Sequence, residues 1–150
     1  MSLGLQVSKK KSLNKIKGSD AVALFLKKKK IKYAFGIIGS ANSHIFDSVN
    51  KLKYTKIINV HHEQAATMAM QSYYRINGNP CACLVTAGAG SSNSITGVIS
   101  AWADSIPGII ISGQEKTIAI KSYKGMRMWG VQGFDSTLMV KKITKYSKRV

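Results

Sequence analysis

The sequence predicts an α/β fold, doubly wound, with a mostly parallel sheet and helices on both faces. Three observations carry that expectation. Short apolar runs (YAFGII, KIINV, CACLVT and GIIIS) recur along the chain and are too short to be helices. Between them lie amphipathic or small-residue segments of helical length. At 150 residues, 45% of them apolar and only two of them proline, the chain can bury one domain's core. Strands alternating with helices make βαβ units, and right-handed crossovers then gather the strand C-termini on one edge.

In order, residues 1–17 (MSLGLQVSKKKSLNKIK) form a basic segment expected to be flexible and without a signal peptide's apolar stretch. Ser19 then reads as the N-cap of a helix, DAVALFLKKKK. Its apolar face is Val22, Phe25 and Leu26, and its lysines suit the negative C-terminal end. A strand follows over 33–38, a GSANS turn, a helix over 43–52 and a strand over 56–60. The next helix runs from His62 to Asn77 and stops at Gly78, with Pro80 beyond. A third strand spans 81–86, and AGAGSSN turns into a helix reaching Asp104. A fourth strand covers 108–112, then a polar, glycine-bearing loop 114–133, a short helix over Ser136–Lys141, and TKYSKRV as a candidate edge strand.

Charge is unevenly placed. The 23 Lys and Arg outnumber six Asp and Glu, giving a net charge of +17. Most of the excess sits towards the ends, and between 57 and 115 the basic residue is Arg75, beside Glu63, Asp104 and Glu115. The basic residues are mostly lysines, which lack the bidentate fork that base reading favours. The excess reads as a solvated surface, not as a nucleic-acid interface. Cys81 and Cys83, two apart on a strand, share a face and suit neither a sound disulfide nor a four-ligand zinc site. They read as buried thiols of a reducing compartment, and no apolar run nears the roughly 18 residues of a membrane span. The expected setting is cytoplasmic.

Four segments fall on the strand C-terminal edge, where open α/β sheets bind ligands: GSANS, HHEQ, AGAGSSN and SGQ. HHEQA is not a zincin HExxH, because the second histidine's position holds Ala66. AGAGSSN follows a strand and opens a helix, but it has no Walker lysine, and Asn93 breaks GxGxxG. It can be a ligand-cradling loop or a tight turn where backbones approach closely. Ala65, Ala66, Met68 and Ala69 give the helix after HHE a small-residue face suited to core, ligand or subunit packing. Glu63 is either a carboxylate favoured by the helix dipole or one held at a strand end for acid/base work.

Taken in order, FGIIGSANSHIFDSV, HHEQAATMAMQSYYRINGNP and CLVTAGAGSSNSITGVISAWADSIPGIIISGQ resemble the pyrimidine-binding domain of thiamine-diphosphate enzymes, in the acetolactate synthase-like branch. The HEQAA and DSIP…ISGQ elements are its specific motifs, and the resemblance covers 18–150. It implies a carboligase acting on 2-oxo acids such as pyruvate, with thiamine diphosphate as cofactor. Glu63 matches the catalytic glutamate that hydrogen-bonds N1′ of the aminopyrimidine and so prepares removal of the thiazolium C2 proton. Gly39, Ser40 and Ala41 match a cofactor-side loop, Gly88, Gly90 and Asn93 match a second one, and Gln132 matches a substrate-side glutamine.

Ala89 replaces the family's proline, which bears on loop rigidity, and Val131 and Gly133 replace Phe and Glu, which bears on acceptor specificity. The family's GDG…N signature for diphosphate and Mg²⁺ is absent from the sequence. The resemblance therefore implies a C-terminally incomplete domain whose site is completed within a homo-oligomer or by a partner chain carrying the diphosphate-binding domain. FAD is compatible with that branch, but no residue here reads it. Two alternatives stay open: the pyrimidine subunit of a two-subunit 2-oxo acid decarboxylase, and a non-catalytic basic binding protein on the same fold.

Overall fold

The computed structural model describes residues 15–122, 125 and 127–150, so most of the basic segment expected to be flexible lies outside the described residues. Among them, β1 (Tyr33–Gly36), β2 (Lys56–Asn59), β3 (Ala82–Val85) and β4 (Ile109–Ser112) form one parallel sheet in the order β2-β1-β3-β4. The two-residue period of a strand sends alternate side chains to opposite faces. Ala34, Ala82 and Leu84 therefore meet α1 (Gly18–Lys28) and α2 (Ser43–Leu52) through Leu26, Phe46 and Val49. Cys81 and Cys83 point the other way, packing with Ala66 and Met70 of α3 (Glu63–Asn77) and with Ala101. The predicted two-faced α/β fold is what forms.

The chain leaves β1 outward to β2, then returns past β1 to β3. Connections after β1 and β3 thus diverge, opening a crevice between their C-terminal ends. Gly36 allows the approach there, since a Cβ on it would collide with the Leu84 carbonyl. A second layer is set by α3 and α5 (Ile95–Ala103). Gln71, buried in α3, donates to the Gly97 carbonyl at 3.1 Å and accepts from Ser100 Oγ at 3.0 Å. Gly97 lies so close to Thr67 that any side chain there would strike its hydroxyl.

Several local expectations are corrected. Ser19 is not the N-cap: α1 is capped by Lys17, and Ser19 is buried, its hydroxyl hydrogen-bonded with Ser48 Oγ of α2 at 2.9 Å. Phe25 is exposed, because Ala23 and Leu26 supply the buried face with Ser19. The helix after AGAGSSN is two helices, α4 (Ala89–Asn93) and α5, broken at Ser94, whose hydroxyl bonds the Ser91 carbonyl at 2.6 Å. A helix turn competing with side-chain–backbone bonding explains the break. The loop over 114–133 contains a helix, α6 (Thr117–Ser122). TKYSKRV is no edge strand: Ser147 Oγ bonds the Thr137 carbonyl at 2.9 Å, folding this segment back on α7 (Ser136–Val140).

Candidate functional site

The crevice is built from three loops and one helix start. Glu63 is the first residue of α3, and His62 caps it, Nδ1 accepting from the Gln64 amide at 3.2 Å. The preceding strand is fastened to β1 where the Val60 amide donates to the Gly36 carbonyl at 3.0 Å. Glu63 is only 8% exposed. Asn93, at the end of α4, donates from Nδ2 to Oε2 at 3.0 Å. Its other oxygen faces Gly90, where a Cβ would lie 2.9 Å from Oε1 and 2.5 Å from Thr86 Cγ2. The carboxylate is thus held by one donor and bordered by bare backbone.

Gly88 has φ +68° and ψ −130°, a region that belongs to glycine. A Cβ there would also stand 2.5 Å from Cγ of Gln132, so the loop carrying Gln132 leans directly on Gly88. Trp129 and Gly133 exchange backbone hydrogen bonds of 2.7 Å and make the tight turn that carries Gln132, an exposed residue. The Gly39–Ala41 loop is shaped by Asn42, fully buried, whose Oδ1 accepts from the Gly39 amide at 2.7 Å. Its Nδ2 donates to the Ile37 carbonyl at 3.1 Å. Gly39 presses against Thr86, at 2.6 Å from a Cβ to Oγ1, and Gly113 presses against Ala41.

All eight expected positions therefore belong to one edge. Glu63, Gly90 and Asn93 meet directly, Gly39 reaches them through Thr86, and Gln132 joins through Gly88. Ser40 is exposed on the same loop, its carbonyl accepting from Ser43 Oγ at 3.2 Å. Sequence reasoning missed Asn42, Thr86 and Gln71. Asn42 carried a signal, an Asn in a Gly/Ser-rich turn before a helix. Thr86 became visible only when β1 and β3 were known to be neighbours. Among the described residues no group of three or more His, Cys, Asp or Glu side chains could hold a metal ion. No helix of the described residues is long and apolar enough to cross a membrane.

A buried carboxylate amid glycine loops, at the switch point of a doubly wound sheet, marks the chain as a ligand-binding type of α/β domain. The chain belongs to the family described as "Thiamine pyrophosphate enzyme, N-terminal TPP binding domain", which matches residues 16–139. It is similar to the acetolactate synthase large subunit of Haemophilus influenzae, 39% identical over 102 residues, 68% of this chain and 18% of the relative. The mitochondrial acetolactate synthase of Schizosaccharomyces pombe is 40% identical over 95 residues, 63% of this chain and 14% of its own. The Lactococcus lactis acetolactate synthase large subunit aligns over 133 residues at 29% identity, 89% of this chain and 22% of its own. The chain spans about a fifth of the length of the curated relatives it matches.

Proposed function

We propose that this chain is the pyrimidine-binding part of a thiamine-diphosphate-dependent carboligase of the acetolactate synthase type, acting on 2-oxo acids such as pyruvate. One observation carries the reading: Glu63 is buried at the start of α3, held by Asn93 and faced by Gly90, at the crevice of a family-matched domain. The residues fit the cofactor, since a planar ring needs bare backbone beside it and a carboxylate at its edge. When bound, thiamine diphosphate supplies the carbon nucleophile and the electron sink.

The chain's own contribution is position and proton control. Asn93 fixes the plane of the carboxylate by holding Oε2, leaving Oε1 to hold the proton at N1′ of the pyrimidine. Gly88, Gly90 and the Gly39–Ala41 loop let backbone approach the ring and exclude water, and Gln132 faces the substrate side. Mg²⁺ and the diphosphate are held by another domain or chain. The exposed Met68 and Ile76 of α3, and Ile99 and Trp102 of α5, support a subunit contact that completes the site.

Glu63→Gln, in this chain combined with its diphosphate-binding half, is expected to fold normally. It should slow exchange of the cofactor's C2 proton, followed by NMR, by about 10²–10⁴-fold. An unchanged exchange rate would sink the assignment.

A further inference from the structure

The lysine runs are separate in sequence, but the fold brings them together at the end of the sheet opposite the candidate site. Helices run back against the strands, so α1 and α2 both end where β1 and β2 begin. The two turns there, 27–32 and 51–56, are bonded to each other. The Lys56 amide donates to the Lys32 carbonyl at 2.8 Å, and Thr55 Oγ1 donates to the Ile31 carbonyl at 2.7 Å. Lys27, Lys28, Lys29, Lys30, Lys53 and Lys56 are all exposed on these turns. Lys32 stacks its ammonium 4.1 Å from the centre of the Tyr54 ring, and Lys51 pairs with Asp47 at 2.8 Å.

No acid of the chain balances the remaining six. All six acidic residues are described; Asp47 and Asp20 both lie by Lys51, and the other four lie elsewhere. Asp20 accepts from Ser48, Glu63 from Asn93, Asp104 from Arg75 and Asp135 from Thr137, while Glu115 lies against Gly130. Two of the lysines also occupy backbone that suits glycine, Lys30 at φ +57° and Lys53 at φ +53°. A lysine at such a helix end costs about 1 kcal/mol against glycine, so local backbone preference does not explain it. The helix dipole accounts for a cation or two in each last turn, not for this density.

We propose that this edge docks an acidic segment of a partner protein, one carrying several Asp or Glu side chains. The chemistry of the edge selects carboxylates over the other polyanions. Helix C-termini meet here, so carbonyls point outward and no helix N-terminus offers amides to a phosphate. There is no arginine fork on either turn, and Tyr54, the aromatic there, is already covered by Lys32, leaving no open ring for a base. Neither turn exposes a large apolar side chain to enter a lipid surface. Because the edge lies opposite the crevice, docking leaves Glu63 free, and the inference does not depend on the proposed function.

The test uses the full chain and a poly-L-glutamate peptide as probe, by fluorescence anisotropy at low and high salt. Two charge-matched variants are compared. One carries Lys27→Gln, Lys29→Gln, Lys30→Gln and Lys53→Gln; the other carries Lys141→Gln, Lys142→Gln, Lys145→Gln and Lys148→Gln. Wild type and the second variant should bind alike, with affinity falling as salt rises, and the first should bind about ten-fold more weakly. Equal weakening in both variants would show that net charge alone attracts the probe, and would overturn the proposal. So would tighter binding of duplex DNA, or of phosphatidylserine vesicles, lost in the first variant at the same salt. Circular dichroism of each variant confirms that the fold is retained.

Discussion

The two edges of the parallel sheet are built on opposite terms. At the strand C-termini, glycines at 39, 88, 90 and 113 bring their backbone against Thr86, Gln132, the Glu63 carboxylate and Ala41 at distances that forbid a Cβ, and Glu63 sits buried among them. At the strand N-termini, lysines stand in solvent, two of them on backbone that glycine would suit better. One edge omits side chains to gain closeness; the other keeps charged side chains despite the conformational cost. The difference teaches how each edge tolerates change. Substitution at the first is a steric event, and at the second an electrostatic one.

The largest effect that would sharpen this contrast is at Gly90. Gly90→Val places atoms against Thr86 and the Glu63 carboxylate together, and is expected to cost about 2–3 kcal/mol in urea unfolding. Lys29→Val on the opposite edge should shift stability within about 0.5 kcal/mol. Comparable losses at both positions would break the comparison.

A second effect belongs to the sheet's middle, between the edges. Burial pushes the Cys81 thiol up to about 12, and burial beside Cys81 pushes Cys83 higher still. An unfolded thiol titrates near ~8.5. Below that pH both states keep their protons and these groups leave stability unchanged. Above it the unfolded chain releases protons that the folded chain retains, so stability falls as pH rises, by about 1.4 kcal/mol per unit and thiol. Chemical denaturation at pH 8 and 9.5 should show the fall, and the Cys81→Ala, Cys83→Ala pair should flatten it. A slope that survives the double substitution would show that the alkaline sensitivity does not come from these two thiols.

The smallest effect is at Lys53. Replacing it with glycine relieves the left-handed backbone at the end of α2, and should raise stability by about 0.5 kcal/mol once the looser unfolded chain is allowed for. A loss on Lys53→Gly, seen as a lowered melting midpoint, would mean that the lysine side chain itself holds the turn.

Legibility in the sequence followed the same division. The four strands, the helix ending at Gly78 and the clustering of candidate residues on one edge could be read, because apolar period and topology determine them. Ser19 could not: its hydroxyl satisfies either a helix end or a neighbouring helix, and Ser48 of α2 decides. The break at Ser94 was hidden because Ser91 and Ser94 look like ordinary helix residues until their side chains bond backward. TKYSKRV has the length of an edge strand, but Ser147 finds Thr137 and Arg149 finds Trp129, at 4.8 Å from the ring centre. The meeting of 27–32 with 51–56 is a tertiary fact with no local signature.

The stack of Arg149 on Trp129 has an optical consequence. The chain has two tryptophans, and they stand in unlike surroundings. Trp102 is half exposed on the outer side of α5, while Trp129 lies under a guanidinium at the foot of the turn bearing Gln132. Emission from Trp102 follows whatever covers α5, and emission from Trp129 follows the turn. With Phe at either position, the protein becomes a single-fluorophore reporter of one face. Binding events at two places can then be timed separately, with no dye attached.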